Sequence, residues 1–349
     1  MAYTPVHPPS SGTLARVSRL HRALEERLAL GALDYQVPKS TDHWKYMLGG
    51  MTASLSVVIV ATGVYLAQFY NPTPRGAHDS VLYIITRAPL GDWVRSLHFL
   101  ASGALVVTVT AHLAYVFWRR SYKRPREVTW WAGVLMAALI FLLVVTGTTL
   151  RYDQEGFEAL LHFVTGGNLT GVFGAFFTEE FTTSTSLLSR VFSLHTSLLP
   201  LLLVLLMTLH FWLIRHLGIH ADSSQTGRFR GHATRLTGYS LLLFAALGVL
   251  ALSIPEGIGY PAVSGAEVTK PFWPVLWVYG LENMLGAWGM ILGPAAVFVF
   301  LMAVPLLDRE DDDTPGRHGW VGWMGVAMGV IVLGLWLYGV FGEVQEHIM

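Results

Sequence analysis

Four histidines carry the first chemical signal. His98 and His112 lie 14 residues apart in one long apolar run, and His195 and His210 lie 15 apart in another. On helices these spacings correspond to roughly 21 and 22 Å of rise, so each pair nearly crosses a bilayer. Fourteen residues fall about 40° short of four turns and fifteen overshoot by about 60°. Both histidines of one helix therefore point to the same side of a bundle. With the helices antiparallel, His98 is level with His195 and His112 with His210. Ionisable side chains in apolar spans are costly unless they share a task. A tetrahedral zinc site needs its four donors close together, whereas two layers about 20 Å apart suit axial ligation of two haem irons. His98, His112, His195 and His210 are the expected metal ligands of two haems.

Glycine points the same way. Gly49 and Gly63 are 14 apart in one apolar segment, and Gly133 and Gly147 are 14 apart in another. Glycine weakens a helix but lets a flat ligand or a second backbone approach closely. The shared period favours clearance at two levels, while plain helix packing accounts for any one glycine alone. Arg95 and Arg190 precede the first histidine of each pair by three and five residues. They can balance haem propionates or bind lipid headgroups.

The elements that must hold these residues are spanning helices. Of 349 residues 53% are hydrophobic and 13% charged, and the hydrophobic ones recur in runs of about 20, the length that crosses a bilayer. The fold class read from this is all-α. It comprises an amphipathic N-terminal helix over 14–30, a four-helix bundle, and three further spans. The seven spans are expected at 45–69, 93–117, 130–150, 191–215, 235–254, 287–306 and 320–341. The domains follow as an arm over 1–40, a core over 41–220 and a tail over 221–349. Zero net charge implies no attraction to nucleic acid. Without cysteine the chain has no disulfide or thiolate, so a cysteine-held iron-sulfur centre belongs in a partner. The start, MAYTPVHPPSSGT, does not read as a cleaved leader.

Charge sets an orientation. Arg119, Arg120, Lys123, Arg124 and Arg126 follow the second span, and Arg215, Arg228, Arg230 and Arg235 follow the fourth. The excess of positive charge puts these turns inside the cell, with the N-terminus inside and the C-terminus outside. His98 and His195 then form the outer layer and His112 and His210 the inner one. An acidic run over 308–313 reads as a solvated inner face, and Pro200, between the histidines of the fourth span, as a kink.

Chemistry beyond haem needs a carrier that exchanges both electrons and protons, and a lipid-soluble quinone does both. An outer pocket would draw on Asp153, the helix end near Gly147 and the 255–286 loop, where Glu256, Glu267 and Glu282 are candidate proton acceptors. Glu282 is the first choice because it sits beside Asn283 near an apolar entrance. An inner pocket would use the basic turns with Arg215, His216 and Asp222. The connector over 151–190 reads as short interfacial helices on the outer side.

Several strings resemble the cytochrome b family of quinol:cytochrome c oxidoreductases, the b6f type more than the mitochondrial one. They are Tyr46-Met47-Leu48-Gly49-Gly50, Trp93-Val94-Arg95-Ser96-Leu97-His98, Pro125-Arg126-Glu127-Val128-Thr129-Trp130, Thr146-Gly147, Asp153-Gln154, Arg190-Val191-Phe192-Ser193-Leu194-His195-Thr196 and His210-Phe211-Trp212-Leu213-Ile214-Arg215. The likeness covers residues 42–220, and the last three spans resemble the separate fourth subunit of b6f-type complexes, fused here to the core. The resemblance implies four core helices carrying two noncovalent b-type haems, with His98 paired with His195 and His112 with His210. It also implies a Rieske iron-sulfur protein and a c-type cytochrome as partners, a homodimer, quinol oxidation outside, quinone reduction inside, and proton translocation. The location implied is a bacterial inner membrane, with menaquinol as the candidate quinone.

The departures concern the outer site. Where the family has Pro-Glu-Trp-Tyr, this chain has Pro271-Phe272-Trp273-Pro274, and Phe272 cannot accept a proton. Glu282, Glu267 or another group must substitute, or outer quinol oxidation is altered or absent. Arg151-Tyr152-Asp153-Gln154 stands where the family has Pro-Trp-Asp-Gln. Met47 occupies the place of the cysteine that anchors the extra b6f haem, so no cysteine-linked haem is expected. A competing reading is a two-haem subunit that exchanges electrons with another periplasmic redox protein without Rieske-dependent bifurcation. A nonredox transporter or scaffold leaves both histidine layers unexplained.

Overall fold

The structure is a computed structural model that describes residues 35–221, 225–308 and 319–347, with Arg19 and Arg27. The expected helix over 14–30, Asp222 and most of the acidic run lie outside the described residues. Among the described residues seven helices are long and apolar enough to cross a membrane: Trp44–Ala67, Gly91–Trp118, Glu127–Thr149, Leu187–Leu217, Phe229–Ser253, Trp288–Leu307 and Trp320–Phe341. Each overlaps an expected span, with ends within four residues except that the fifth begins six residues earlier than expected. The protein is an all-α, multi-span membrane protein. The described residues add one short antiparallel ribbon, β1 (Gln36–Pro38) with β2 (Thr226–Arg228), which joins the arm to the segment before the fifth span.

The helices are α1 (Leu48–Ala67), α2 (Ala77–Thr86), α3 (Gly91–Trp118), α4 (Glu127–Thr149), α5 (Gln154–Thr170), α6 (Leu187–Leu217), α7 (Phe229–Ser253), α8 (Leu276–Leu285), α9 (Trp288–Leu307) and α10 (Trp320–Phe341). α1 packs on α3, α4 on α6, and α7 against both α1 and α3. One buried cluster joins Leu55, Leu97, Leu105, Ile140, Leu203 and Leu247 from these five helices. α8 lies against α9 and α10. Gly280 and Gly339 permit this, since a Cβ on either would fall 2.3 Å from the Leu335 or Leu276 carbonyl oxygen.

Tryptophans dock the later spans on the earlier ones. Trp93 Nε1 donates to the Gly248 carbonyl at 3.0 Å, and Trp131 Nε1 to that of Met302 at 2.9 Å. Trp130 Nε1 donates to the Leu301 carbonyl at 2.7 Å. That carbonyl is the one Pro305, four residues on inside α9, has no N–H to satisfy. A buried carbonyl left unpaired costs about 1–3 kcal/mol, so the indole repairs a break made by the proline.

The first residue of the acidic run is buried, contrary to the solvated face expected of it. Asp308 accepts from Arg120 Nη2 at 2.6 Å and the Tyr122 hydroxyl at 2.6 Å, and Lys123 Nζ lies 3.2 Å away. Burial alone would raise its pKa, but these donors outweigh burial and hold the carboxyl below the ordinary range. The cluster ties the turn after α3 to the end of α9.

Candidate functional site

The fourth span is not a plain α-helix. Residues Leu194–Leu198 form a π turn in which the Leu199 amide reaches back to the Leu194 carbonyl. Pro200 follows at once and has no N–H for the Thr196 carbonyl, so the wider turn sits where the α ladder is already broken. A π turn absorbs one residue with little added rise or rotation. The 15-residue spacing of His195 and His210 thereby becomes equivalent to 14, and the mismatch with His98 and His112 disappears.

Each histidine faces a glycine on a neighbouring helix. A Cβ built at Gly49 would fall 2.9 Å from His112 Cε1, at Gly63 3.3 Å from His98 Cε1, at Gly133 3.6 Å from His210 Cε1, and at Gly147 2.9 Å from His195 Cε1. Glycine and histidine thus sort into the same two levels. His98 and His195 share an apolar cavity of about 350 Å³, lined also by Gly63, Gly147, Arg95 and Phe272.

The hydrogen bonds fix how the imidazoles present themselves. Thr62 Oγ1 lies 2.9 Å from His98 Nδ1 and donates its own proton to the Val58 carbonyl at 2.8 Å. Thr146 Oγ1 is 3.1 Å from His195 Nδ1 and donates to Leu142 at 2.7 Å. Each hydroxyl has spent its one proton, so each histidine donates from Nδ1 and keeps a lone pair on Nε2. His210 reaches the same form by donating from Nδ1 to the Thr129 carbonyl at 3.0 Å. Imidazoles so oriented are the usual ligands of a buried metal.

A haem passes a fit test at His98 and His195. The His98 and His195 ring centroids are 6.5 Å apart. Two metal–imidazole bonds of about 2 Å, with about 1 Å from each nitrogen to its ring centre, require roughly 6 Å. The glycines opposite provide the clearance, and the donor set is all nitrogen.

Arg95 lines the same cavity, with its guanidinium donating to the Glu256 and Gly257 carbonyls. Arg190 is anchored elsewhere, to the Phe176 and Thr178 carbonyls at 2.7 and 2.8 Å. Phe272 packs at a tilt against Phe99, with centroids 4.7 Å apart, and Trp273 accepts from Trp336 Nε1 through its carbonyl at 2.8 Å.

A second cavity, of about 430 Å³, lies on the other side of α4, and Thr148 lines both. It collects Glu155, Glu158 and His162 from α5, Glu267 and Pro271 from the loop, and Tyr279 and Glu282 from α8. Glu267 and Glu282, expected as proton acceptors, are therefore brought together. Asp153 is set apart from them. It caps α5 through the Gly156 amide and takes the Arg151 guanidinium and the Gly259 amide, so its oxygens are committed to holding the loop. The Glu256 carboxylate lies 3.7 Å from Arg151 Nη1. The expected inner residue Arg215 stacks over Tyr35 at 4.1 Å.

Glu155 and His162 were not singled out by sequence. Burial, with Asp153 and Glu256 nearby, pushes the Glu155 carboxyl up to about 7 against the pull of Arg151. The sequence signal for His162 is its place four and seven residues after Glu158 and Glu155, which puts the three on one helical stripe.

Residues 32–218, more than half of the chain, match the family described as Cytochrome b/b6/petB. The chain belongs to the cytochrome b/b6 family. Cytochrome b6 of Tupiella akineta is 37% identical over 213 residues, which cover 58% of this chain and 98% of that protein. A chain of a solved structure described as "Hyperthermophilic respiratory Complex III" superposes with a TM-score of 0.77 at 21% identity, over 93% of this chain and 91% of that one. The structural match speaks to the fold and reaches past the core, since it takes in the later spans. Membership of the cytochrome b/b6 family makes this chain an electron-transferring subunit of a redox enzyme.

Proposed function

We propose that this cytochrome b/b6-family chain is the haem-bearing subunit of a quinol:cytochrome c oxidoreductase, working with a Rieske iron-sulfur protein and a c-type cytochrome in a dimeric complex. The observation that carries the reading is the apposition of His98 and His195, each fixed by a threonine at Nδ1 and faced by a glycine. His98 and His195 would hold one b haem, and His112 and His210 the other. Bound there, the two haems supply a path for single electrons across the membrane.

The basic turns face the cytoplasm in this reading, so the 430 Å³ cavity opens toward the outer side and takes the quinol. Its apolar walls from α4, α8 and α9 suit a hydrophobic ring and tail, and its acidic and imidazole groups suit proton removal. Thr148, common to both cavities, keeps the quinol next to the His98 and His195 layer. Quinone reduction with proton uptake belongs to the opposite face, beside His112 and His210.

A second reading has one observation in its favour. Phe272 replaces the family's glutamate, which suits a two-haem subunit serving a different periplasmic redox partner. The cluster of His162, Glu267 and Glu282 argues for the first, because it supplies acceptors from other positions. Reduced-minus-oxidised spectra with haem quantitation should give two b haems per chain. Replacing His98 or His195 should remove one, and replacing His112 or His210 the other. Copurification with a Rieske protein supports the main reading, and a complex holding other redox subunits in its place supports the second.

A further inference from the structure

The outer cavity contains a proton problem that its geometry does not solve by itself. His162 Nδ1 lies 2.8 Å from the Glu158 carbonyl, which can only accept, so Nδ1 carries a proton. In the neutral ring Nε2 is then a bare lone pair, yet it faces Glu282 Oε1 at 3.4 Å and Glu267 Oε1 at 3.5 Å. His347 Nδ1 approaches the same Glu267 oxygen at 3.3 Å. His162 Nε2 and the two carboxylate oxygens are acceptors facing acceptors, so the cluster is short of one proton and favours taking one up at Nε2. Glu282 Oε1 and His347 Nε2 are buried and without a hydrogen-bond partner among the described residues.

The surrounding groups are already engaged. The Glu158 carboxylate accepts from Gln154 Nε2 and from the Val268 and Thr269 amides. The Tyr279 hydroxyl accepts from the Gln345 amide at 2.9 Å, and Glu155 pairs with Arg151 at 3.0 Å. Lys270 Nζ donates to the Val340 and Gly342 carbonyls, and Glu267 Oε2 takes the His347 amide at 2.6 Å. The C-terminal tail is thereby pinned over the cavity. Residues 343–346 are exposed, while the His347 side chain points inward and is 7% exposed.

We infer that His162 accepts protons from a quinol in this cavity and passes them through Glu267 to His347 and out at the C-terminal tail, with Glu282 as counter-ion. The inference rests on the proposed quinol oxidation and names the groups that do the work a glutamate at position 272 would do. In each pass Nε2 takes a proton from a quinol hydroxyl, the imidazolium hands it to the Glu267 carboxylate, and Glu267 passes it to His347 Nδ1, from which it leaves along the exposed 343–346 segment. Two passes account for the two protons of one quinol. Its two electrons leave to two one-electron oxidants, the iron-sulfur partner and the b haem path, and quinone remains. His162 returns each time to its neutral form.

Burial would weaken His162 as a base, but the nearby carboxylates of Glu282 and Glu267 and the Glu158 carbonyl outweigh burial and raise its pKa above the ordinary value. Protonated His162 cannot accept, so activity should fall as pH drops through that raised value.

The test is steady-state oxidation of a short-chain quinol by the intact complex across pH 5 to 9. The parent complex should show an acid limb centred above about 6.5. His162→Gln should lose that limb and slow roughly 100-fold, and His347→Ala should slow about tenfold while keeping it. His162→Ala should recover activity on addition of free imidazole. Haem content and haem reduction from the opposite face should stay unchanged, which separates a proton defect from misfolding. A His162→Gln complex with the parent rate and pH profile overturns the inference, as does a stoichiometric divalent ion found in the cluster. If the parent complex itself oxidises no quinol, the functional reading fails first and the inference falls with it.

Discussion

Thr146 Oγ1 sits 3.1 Å from His195 Nδ1 while its own proton is given to the Leu142 carbonyl, and Thr62 treats His98 in the same way. The imidazoles of His98 and His195, the proposed outer layer, are therefore locked in one tautomer by the same means. Thr146→Val or Thr62→Val removes the acceptor at Nδ1 and leaves the fold of the helix intact. The imidazole loses basicity, so outer haem affinity should fall roughly 10- to 100-fold and that haem's midpoint potential should rise. Thr129→Val should leave the inner haem alone, because His210 uses the Thr129 backbone carbonyl. Redox titration of the variants checks this, and equal shifts at both haems would discredit the assignment.

The glycines opposite the histidines are not equivalent. A methyl at position 147 would meet His195 Cε1 at 2.9 Å, and the ring cannot swing away without breaking its bond to Thr146. At position 133 the same methyl would stand 3.6 Å from His210, an ordinary contact. Gly147→Ala should therefore lower outer haem occupancy in purified protein, and Gly133→Ala should be better tolerated by the inner one. Haem-to-protein ratios for the two variants give the answer, and the reverse ranking would count against the geometry.

The spans and the facing of histidines and glycines were legible because a spanning helix announces itself by length and by a fixed angular period. The odd 15-residue spacing was visible too, but its cause was not. Sequence suggested a kink at Pro200, whereas the structure places a π turn just before it. Asp153 and Glu282 look alike in sequence, as carboxylates near turns. One is consumed in capping α5 and gripping Arg151, and the other is buried facing an imidazole. His162 escaped notice because its partners lie 105, 120 and 185 residues further on. Asp308 misled because a charge run reads as solvent-facing, while Arg120, which buries it, belongs to a turn 188 residues earlier.

Glu155 gives a pH-dependent stability with a definite sign. Its carboxyl is raised from an ordinary 4.5 to about 7 in the folded protein. The stabilisation this represents is fully present below about 4.5 and is lost as pH rises through 7, because the buried carboxyl must then ionise. Glu155→Gln cannot ionise and should be the more stable protein at pH 8 by at most on the order of 3 kcal/mol. At pH 5 the advantage should shrink or vanish. Thermal unfolding midpoints in detergent at the two pH values measure it, and parallel curves for parent and variant would refute the shift.

Trp130 and Pro305 form a coupled pair across the junction between the core and the tail. The indole supplies the hydrogen bond that the proline denies to the Leu301 carbonyl. Trp130→Phe should cost about 1–3 kcal/mol beyond the small loss of volume, because that carbonyl becomes a buried, unpaired acceptor. Pro305→Ala restores a helical N–H at the same carbonyl, so Trp130→Phe made in that background should cost much less. A double-mutant cycle on unfolding in detergent reads the difference as a coupling energy. Additive effects would mean that the indole contributes packing alone. A coupling near the full hydrogen-bond cost would mean that the tail is fastened to the core through the fault in its own helix.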